Sequence, residues 1–184
     1  NFIKKNSDFD FMVYEKEESL SLEEGFGIQL AANSISILNK IKFKNIKAEE
    51  IYHPEKLNFF SIKNHKICDL DITKFNNADT KYTTLRRSTL IEFLKDEIYT
   101  QHLRFGKRIK KISEIKDKIL INFDDNTNDL VDYIAAADGI FSNTRAFFET
   151  KKITPKFRNA IAIRTILKSS LKLDFDDKNI NLIM

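Results

Sequence analysis

Short runs of β-branched, aromatic and other apolar residues alternate along this chain with stretches of helical periodicity, and polar or glycine-bearing tips separate them. Residues 9–14 (Phe-Asp-Phe-Met-Val-Tyr) predict a strand that ends directly on Glu15. After Gly25 and Gly27, apolar residues continue through Ile37, Leu38 and Ile41 at helical spacing, with Asn33 as a candidate cap. Residues 57–62 and 66–72 flank the polar tip Lys63-Asn64-His65 and predict a β-hairpin. Leu90, Ile91, Leu94 and Ile98 then mark a helix with Ser88 at its N-cap. Residues 108–115, 118–123 and 130–137 predict the three strands of a β-meander, with Asp124-Asp125-Asn126 at the tip between the last two. The last of these carries a buried strand over 133–137. It runs into Asp138-Gly139 and then a helical turn with Ala146, Phe147 and Phe148, for which Ser142 is the expected N-cap. Residues 155–165 alternate again and read as one more strand.

Composition narrows the class. The chain has 184 residues, 42% hydrophobic and 32% charged, which is enough for a sizeable core and argues against disorder. The formal net charge of +4 is spread over interleaved Lys, Arg, Asp and Glu, so no nucleic-acid partner is expected. Cys68 is the single cysteine, which excludes an intrachain disulfide and fits a reducing compartment. No run approaches the roughly 18 apolar residues that a spanning helix requires, and residues 1–6 lack a signal peptide's apolar core, so no transmembrane segment and a cytoplasmic location are expected. His53, His65 and His102 have no carboxylate or Cys at metal spacing; we place them on the surface and expect no metal. The chain opens on Asn1 rather than Met and stops at Asn181-Leu182-Ile183-Met184 in what reads as mid-strand, so we expect a fragment of a longer protein.

Four places carry candidate chemistry. A strand entering Asp138-Gly139 and then a helix is where an open α/β sheet puts its ligands, although an ordinary Asp-Gly turn would look the same. Glu15, at the end of its strand, stands where a carboxylate accepts hydrogen bonds from ribose hydroxyls, or is a surface Glu. Gly25 and Gly27 let a backbone pass close to a flat ligand, or are loop residues. Arg86 and Arg87 before a helix make an anion site from guanidinium forks and free N–H groups, or pair on the surface.

In one order along the chain, these stretches resemble the FAD-dependent aromatic hydroxylases, the group-A flavoprotein monooxygenases that include salicylate-hydroxylase-like and ubiquinone-ring hydroxylases. Ala137-Asp138-Gly139-Ile140-Phe141-Ser142-Asn143-Thr144-Arg145 resembles their A-D-G-x-x-S-x-x-R signature. Glu24 to Asn33 is similar to E-x-G-x-G-I-Q-L-x-x-N, Phe9 to Glu15 followed by Lys16 to V-x-x-Y-E-[KR], and Leu85 to Leu90 to L-[HR]-R-x-x-L. Pro155 to Thr165 is similar to the opening of the substrate domain, with Asn159 for the usual Gly and Ile163 for the usual aromatic.

The resemblance implies an α/β (α+β) fold: a Rossmann-like, glutathione-reductase-type FAD-binding domain over 1–52 and 82–153, with a β-meander, and the start of a mixed substrate-side sheet over 53–81 and 154–184. It implies FAD as cofactor and NAD(P)H as reductant, bound through Glu15, Lys16, Gly27, Gln29, Arg87, Asp138 and Gly139. It implies hydroxylation of a small aromatic substrate, phenolic or a quinone precursor, through a flavin hydroperoxide. No residue stands out as a catalytic acid or base, as expected where the cofactor carries the chemistry. The G-x-G-x-x-G turn and the downstream G-D motif are absent from the chain, so these residues alone are expected not to retain FAD tightly. Two alternatives stay open: a flavoprotein oxidoreductase of similar fold that inserts no oxygen, such as a polyprenyl reductase, and an inactive fragment. Substrate identity, nicotinamide preference and oligomeric state are not read from the sequence.

Overall fold

The computed structural model describes residues 9–20, 22, 26–149, 154–161 and 178–184. Strands β1 (Val13–Tyr14) and β2 (Gly27–Leu30) precede helix α1 (Ala32–Asn39). Then come β3 (Ile51–Tyr52), β4 (Lys56–Phe60), β5 (Lys66–Asp71), β6 (Thr83–Arg86) and helix α2 (Arg87–Asp96). The chain continues through β7 (Leu103–Arg104), β8 (Ile109–Ile115), β9 (Lys118–Phe123), β10 (Asn128–Val131), the single turn α3 (Arg145–Phe148) and β11 (Ile180–Ile183). The fold is therefore mixed sheets with few helices.

These elements divide into two compact units. The described part of the first is residues 22, 26–98 and 178–184. Here β2, β6 and β3 form an antiparallel sheet in that order, with Gly27 opposite Arg86, Gln29 opposite Thr84 and Tyr52 opposite Thr84 on the far side. Side chains alternate across a strand, so Ile28, Leu30, Leu85 and Ile51 turn to one face. They pack there with Ile35 of α1, Phe43, Leu90 and Phe93. Phe43 and Phe93 meet edge to face at 5.3 Å, a favoured ring geometry. Gly27, Gln29, Thr84 and Arg86 are left on the opposite face. The second sheet of this unit runs β11-β4-β5. The predicted hairpin is its antiparallel pair, with a register shift between Phe59 and Phe60, and β11 joins β4 in parallel from Ile180↔Leu57 to Ile183↔Phe60. Asn58 is buried in this sheet, and its Nδ2 donates to Asn181 Oδ1 at 3.0 Å.

The second unit holds residues 9–20, 99–149 and 154–161 of those described. Strand β1 lies parallel to β7, Val13 beside Leu103. The meander is present as an antiparallel β8-β9-β10 sheet whose buried residues are Ile121 and Phe123, two apart on one face of β9.

Several boundaries differ from the sequence pattern. The first strand covers Val13–Tyr14 rather than all of 9–14, because that is the length over which β7 offers a partner. The third meander strand is Asn128–Val131, paired to β9 from Asn128↔Asn122 to Val131↔Ile119. Residues 133–137 carry no strand, and Tyr133 is 85% exposed. The run is strand-like in composition, but a strand exists only where its N–H and C=O groups find partners, and among the described residues none pairs with it. Helix α1 begins at Ala32 with Ala31 in the cap position, so Asn33 lies inside the first turn and its Oδ1 accepts from the Ser34 N–H at 2.8 Å. His102 is half-buried rather than on the surface: its ring stacks on Phe11 at 4.5 Å, and Nδ1 lies 3.0 Å from the Phe11 carbonyl. Glu24, Gly25 and the strand-like residues 162–165, with Ile163 and Arg164, lie outside the described residues.

Candidate cofactor-binding site

In the first unit, pairing of β2 with β6 sets Gly27 opposite Arg86 and Gln29 opposite Thr84, although nearly sixty residues separate the two segments. The Arg87 N–H donates to the Phe26 carbonyl at 3.0 Å, which ties the start of α2 to the start of β2. The helix begins one residue before the expected Ser88 cap: Arg87 is its first residue, and Arg86 in the cap position makes no side-chain capping bond. The first-turn N–H groups that follow Arg87 receive no capping bond from the Arg86 side chain. On the exposed face of the sheet, nothing stands within 4 Å of the point where a Cβ on Gly27 would sit. Gln29 and Arg86 share that face with Gly27. The Tyr82 hydroxyl donates to Gln29 Oε1 at 2.6 Å, and burial raises the Tyr82 pKa, so the phenol stays protonated.

In the second unit, Glu15 follows β1 immediately. Its N–H donates to the Arg104 carbonyl at 2.8 Å and its carbonyl accepts from the Lys107 N–H at 2.8 Å, so the backbone is held on both sides. One carboxylate oxygen, Oε1, accepts from the Glu17 N–H at 3.0 Å, which leaves Oε2 to accept from a ligand. Lys16 points its ammonium to Glu17 at 3.4 Å in an exposed pair. Gly106, which the sequence reading passed over, closes this corner. It has φ +66°, donates to the Glu17 carbonyl at 2.9 Å, and would place a Cβ 3.1 Å from the Glu18 carboxylate. The available signal was its rarity, since the chain has only four glycines.

In the same unit Asp138 leads into α3. The Ser142 hydroxyl donates to its Oδ1, and the Thr144 N–H donates to its Oδ2 at 3.0 Å. Ser142 Oγ in turn accepts from the Arg145 N–H at 2.9 Å, so Ser142 does serve the helix start, two residues ahead of the cap position at Thr144. Partial burial pushes the Asp138 pKa up, but the hydrogen bonds from Ser142 and Thr144 outweigh it and the net shift is downward. Asp138 is therefore a carboxylate at neutral pH, with acceptor capacity left over. Gly139 has φ +80°, a left-handed conformation that a Cβ would strain, and nothing lies within 4 Å of where that Cβ would be.

In the first unit, arginines at a helix start suit phosphates and a bare glycine face suits a flat ring; in the second, Glu15 and Asp138 are carboxylates of the kind that accept from hydroxyls. Among the described residues no group of three or more His, Cys, Asp or Glu side chains converges on a metal position, and no helix is long and apolar enough to cross a membrane.

No protein-family profile matches the chain. It is 23% identical over 164 residues to 6-hydroxynicotinate 3-monooxygenase of Pseudomonas fluorescens, a match that covers 86% of this chain and 41% of that protein. Among solved structures it is similar to 2,6-dihydroxypyridine-3-hydroxylase from Arthrobacter nicotinovorans, with a TM-score of 0.67 and 16% identity over 85% of this chain and 37% of that one. It is also similar to HpxO of Klebsiella pneumoniae, solved with FAD and uric acid, with a TM-score of 0.65 and 20% identity over 79% of this chain and 36% of that one. The chain spans about two fifths of the length of these proteins. It is thus similar in sequence to a 6-hydroxynicotinate 3-monooxygenase and shares the fold of the matching parts of 2,6-dihydroxypyridine-3-hydroxylase and the FAD-bound HpxO.

Proposed function

We propose that the protein carrying this chain is an FAD-dependent monooxygenase that hydroxylates a small aromatic substrate in the cytoplasm, with NAD(P)H as reductant. One atom of dioxygen would enter the ring as a hydroxyl, the other would leave as water, and NAD(P)H would supply the two electrons. When bound, the flavin supplies the redox and oxygen chemistry.

The chain's own residues then bind, orient and exclude water. In this reading Glu15 accepts from ribose hydroxyls through Oε2, with Lys16 beside it. Arg87 and the start of α2 neutralise nucleotide phosphate charge. Asp138 accepts from a hydroxyl of the cofactor, and Gly139 holds the turn that aims it. Gly27 and Gln29 line the ring. Residues 1–52 and 82–153 would form the cofactor-binding part, and 53–81 with 154–184 the substrate-side sheet.

The observation that supports this reading most is the β2–β6 register, which sets Gly27 opposite Arg86 and so joins two of the resembling stretches on one surface. Direct titration of FAD into the protein carrying these residues, by quenching of flavin fluorescence, tests it. Arg87→Ala should weaken FAD about tenfold to a hundredfold, the equivalent of roughly 1.5–3 kcal/mol for a charge-assisted contact. Unchanged affinity would remove Arg87 from the site, and a wild-type protein that takes up no FAD would overturn the assignment.

A further inference from the structure

We infer that Tyr82 is a positioning residue for Gln29: its hydroxyl fixes the Gln29 amide with the oxygen turned to the phenol, so that Nε2 offers its N–H groups to a hydrogen-bond acceptor on a flat ligand lying over Gly27. This rests on the function proposed above and extends it to a residue outside the motifs that carry the resemblance.

The contact is the 2.6 Å bond from the Tyr82 hydroxyl to Gln29 Oε1, made across 53 residues of sequence. A phenol is a good donor and a poor acceptor, because its oxygen lone pair is delocalised into the ring. The amide therefore gains more by presenting its oxygen to Tyr82 than its NH2 group. Burial raises the Tyr82 pKa, which keeps that proton in place across the working pH range.

Tyr82 is itself held. Its N–H donates to Asn76 Oδ1 at 2.7 Å, and the loop before it is closed by Asn77 Oδ1, which accepts from the Thr80 N–H at 2.8 Å and the Asp79 N–H at 3.0 Å. The Asn77 N–H also donates to the Thr80 carbonyl at 2.9 Å. The phenol thus projects from a braced loop, and a braced donor costs little entropy when the ligand arrives. Gln29 lies two residues from Gly27, so the two positions share the exposed face of β2. The ligand edge that this arrangement recognises is an acceptor edge, a ring carbonyl or ring nitrogen, rather than a donor edge.

The test is FAD titration of the whole protein carrying this chain, as wild type, Tyr82→Phe, Gln29→Leu, Gln29→Glu and the Tyr82→Phe/Gln29→Leu pair, reading affinity together with the position of the bound flavin's visible absorption bands. A neutral hydrogen bond is worth about two- to tenfold in affinity. Tyr82→Phe and Gln29→Leu should each weaken binding by about that factor and shift the flavin bands alike, and the pair should be no weaker than the weaker single variant. Gln29→Glu keeps an acceptor for Tyr82 but offers no donor to the ligand, so it should match Gln29→Leu while its thermal midpoint stays at the wild-type value. Wild-type affinity and bands for Tyr82→Phe, or full additivity in the pair, would overturn the positioning role while leaving the cofactor assignment standing. A wild-type protein that binds no FAD would overturn the cofactor assignment and this inference together.

Discussion

The Tyr14 hydroxyl donates to the Asp129 carboxylate and so joins the end of β1 to β10 across 115 residues of sequence. The Tyr14 ring also lies 4.8 Å from that of buried Phe123, so one side chain packs on the meander's core and caps it with a charge-assisted bond. Glu15 follows directly, and its position is therefore referred to the meander through its neighbour. Tyr14→Phe should keep the ring packing and lose the bond. A part-buried bond to a charge is worth about 1.5–3 kcal/mol, and partial solvent exposure puts the expected loss near the lower end. Urea unfolding should show a lower midpoint with an unchanged slope.

The same contact predicts a pH dependence at the alkaline end. Burial, then the bond to Asp129 and its negative charge, raise the Tyr14 pKa above its ordinary value of 10.0. The folded state thus holds this proton more tightly than the unfolded state. Its contribution is complete below about pH 10 and is lost as pH climbs above that. Unfolding free energies measured from pH 8 upward should fall more steeply in wild type than in Tyr14→Phe, and parallel curves would rule the linkage out.

How much of this was legible in the sequence depends on the range of the forces involved. The hairpin of β4 and β5 and the first two meander strands could be read because alternation and polar tips are local signals. The third meander strand could not: Asn128 and Asp129 look like loop, and Tyr133 to Ala137 look like strand. Pairing with β9 decided the matter for Asn128–Val131, and the apolar run found no partner among the described residues. The candidate site divides in the same way. Gly27, Gln29, Arg87, Asp138 and Gly139 stand in recognisable stretches, and their neighbourhoods follow from strand register and turn geometry. Tyr82, Tyr14 and the half-buried His102 carry no local signal, because their partners Gln29, Asp129 and Phe11 lie 53, 115 and 91 residues away.

Gly139 is required by backbone conformation rather than by space. Its φ of +80° strains any residue with a Cβ, yet nothing occupies the Cβ position. Gly139→Ala should therefore cost about 1–2 kcal/mol of stability without a steric clash. Because the turn orients the Asp138 carboxylate towards Ser142 and Thr144, the variant should also release some of the hold on that group. Carboxyl 13C shifts followed against pH should show the Asp138 titration moving up from its lowered position, and an unmoved titration would separate the turn from the carboxylate.

At the tip of the meander, Asp125 gathers three donors. Lys107 makes an ion pair with Oδ2, the Thr127 hydroxyl donates to Oδ1 at 2.6 Å, and the Thr127 N–H donates to Oδ1 at 3.0 Å. The Lys107 bond, followed by the Thr127 bonds, pulls the pKa down to about 2. The folded state holds this proton less tightly than the unfolded state, so the contribution is present above the usual carboxylate range and is lost as pH falls towards 2. Asp125→Asn should blunt the loss of stability on acidification between pH 4 and 2, seen as a shallower shift of the thermal midpoint. A wild-type slope in the variant would place the acid sensitivity elsewhere.

Gly27 separates folding from binding cleanly. It lies in a strand, opposite Arg86, without a left-handed backbone conformation, and open space stands where its side chain would be. On folding grounds Gly27→Val should be neutral or stabilising, since a β-branched residue loses less backbone freedom than glycine and suits a strand. If a flat cofactor ring lies against this backbone, the same valine occupies the ring's position, and the ligand must move outwards and lose its contacts with the sheet. FAD affinity should then fall by about tenfold or more, the equivalent of roughly 1.4 kcal/mol or more, while the thermal midpoint without FAD stays level or rises. Calorimetric unfolding without FAD and flavin titration of the same preparation read the two effects independently. A valine variant with wild-type FAD affinity would show that the exposed face of β2 is solvent surface, and the cofactor reading of Gly27 and Gln29 would fall with it.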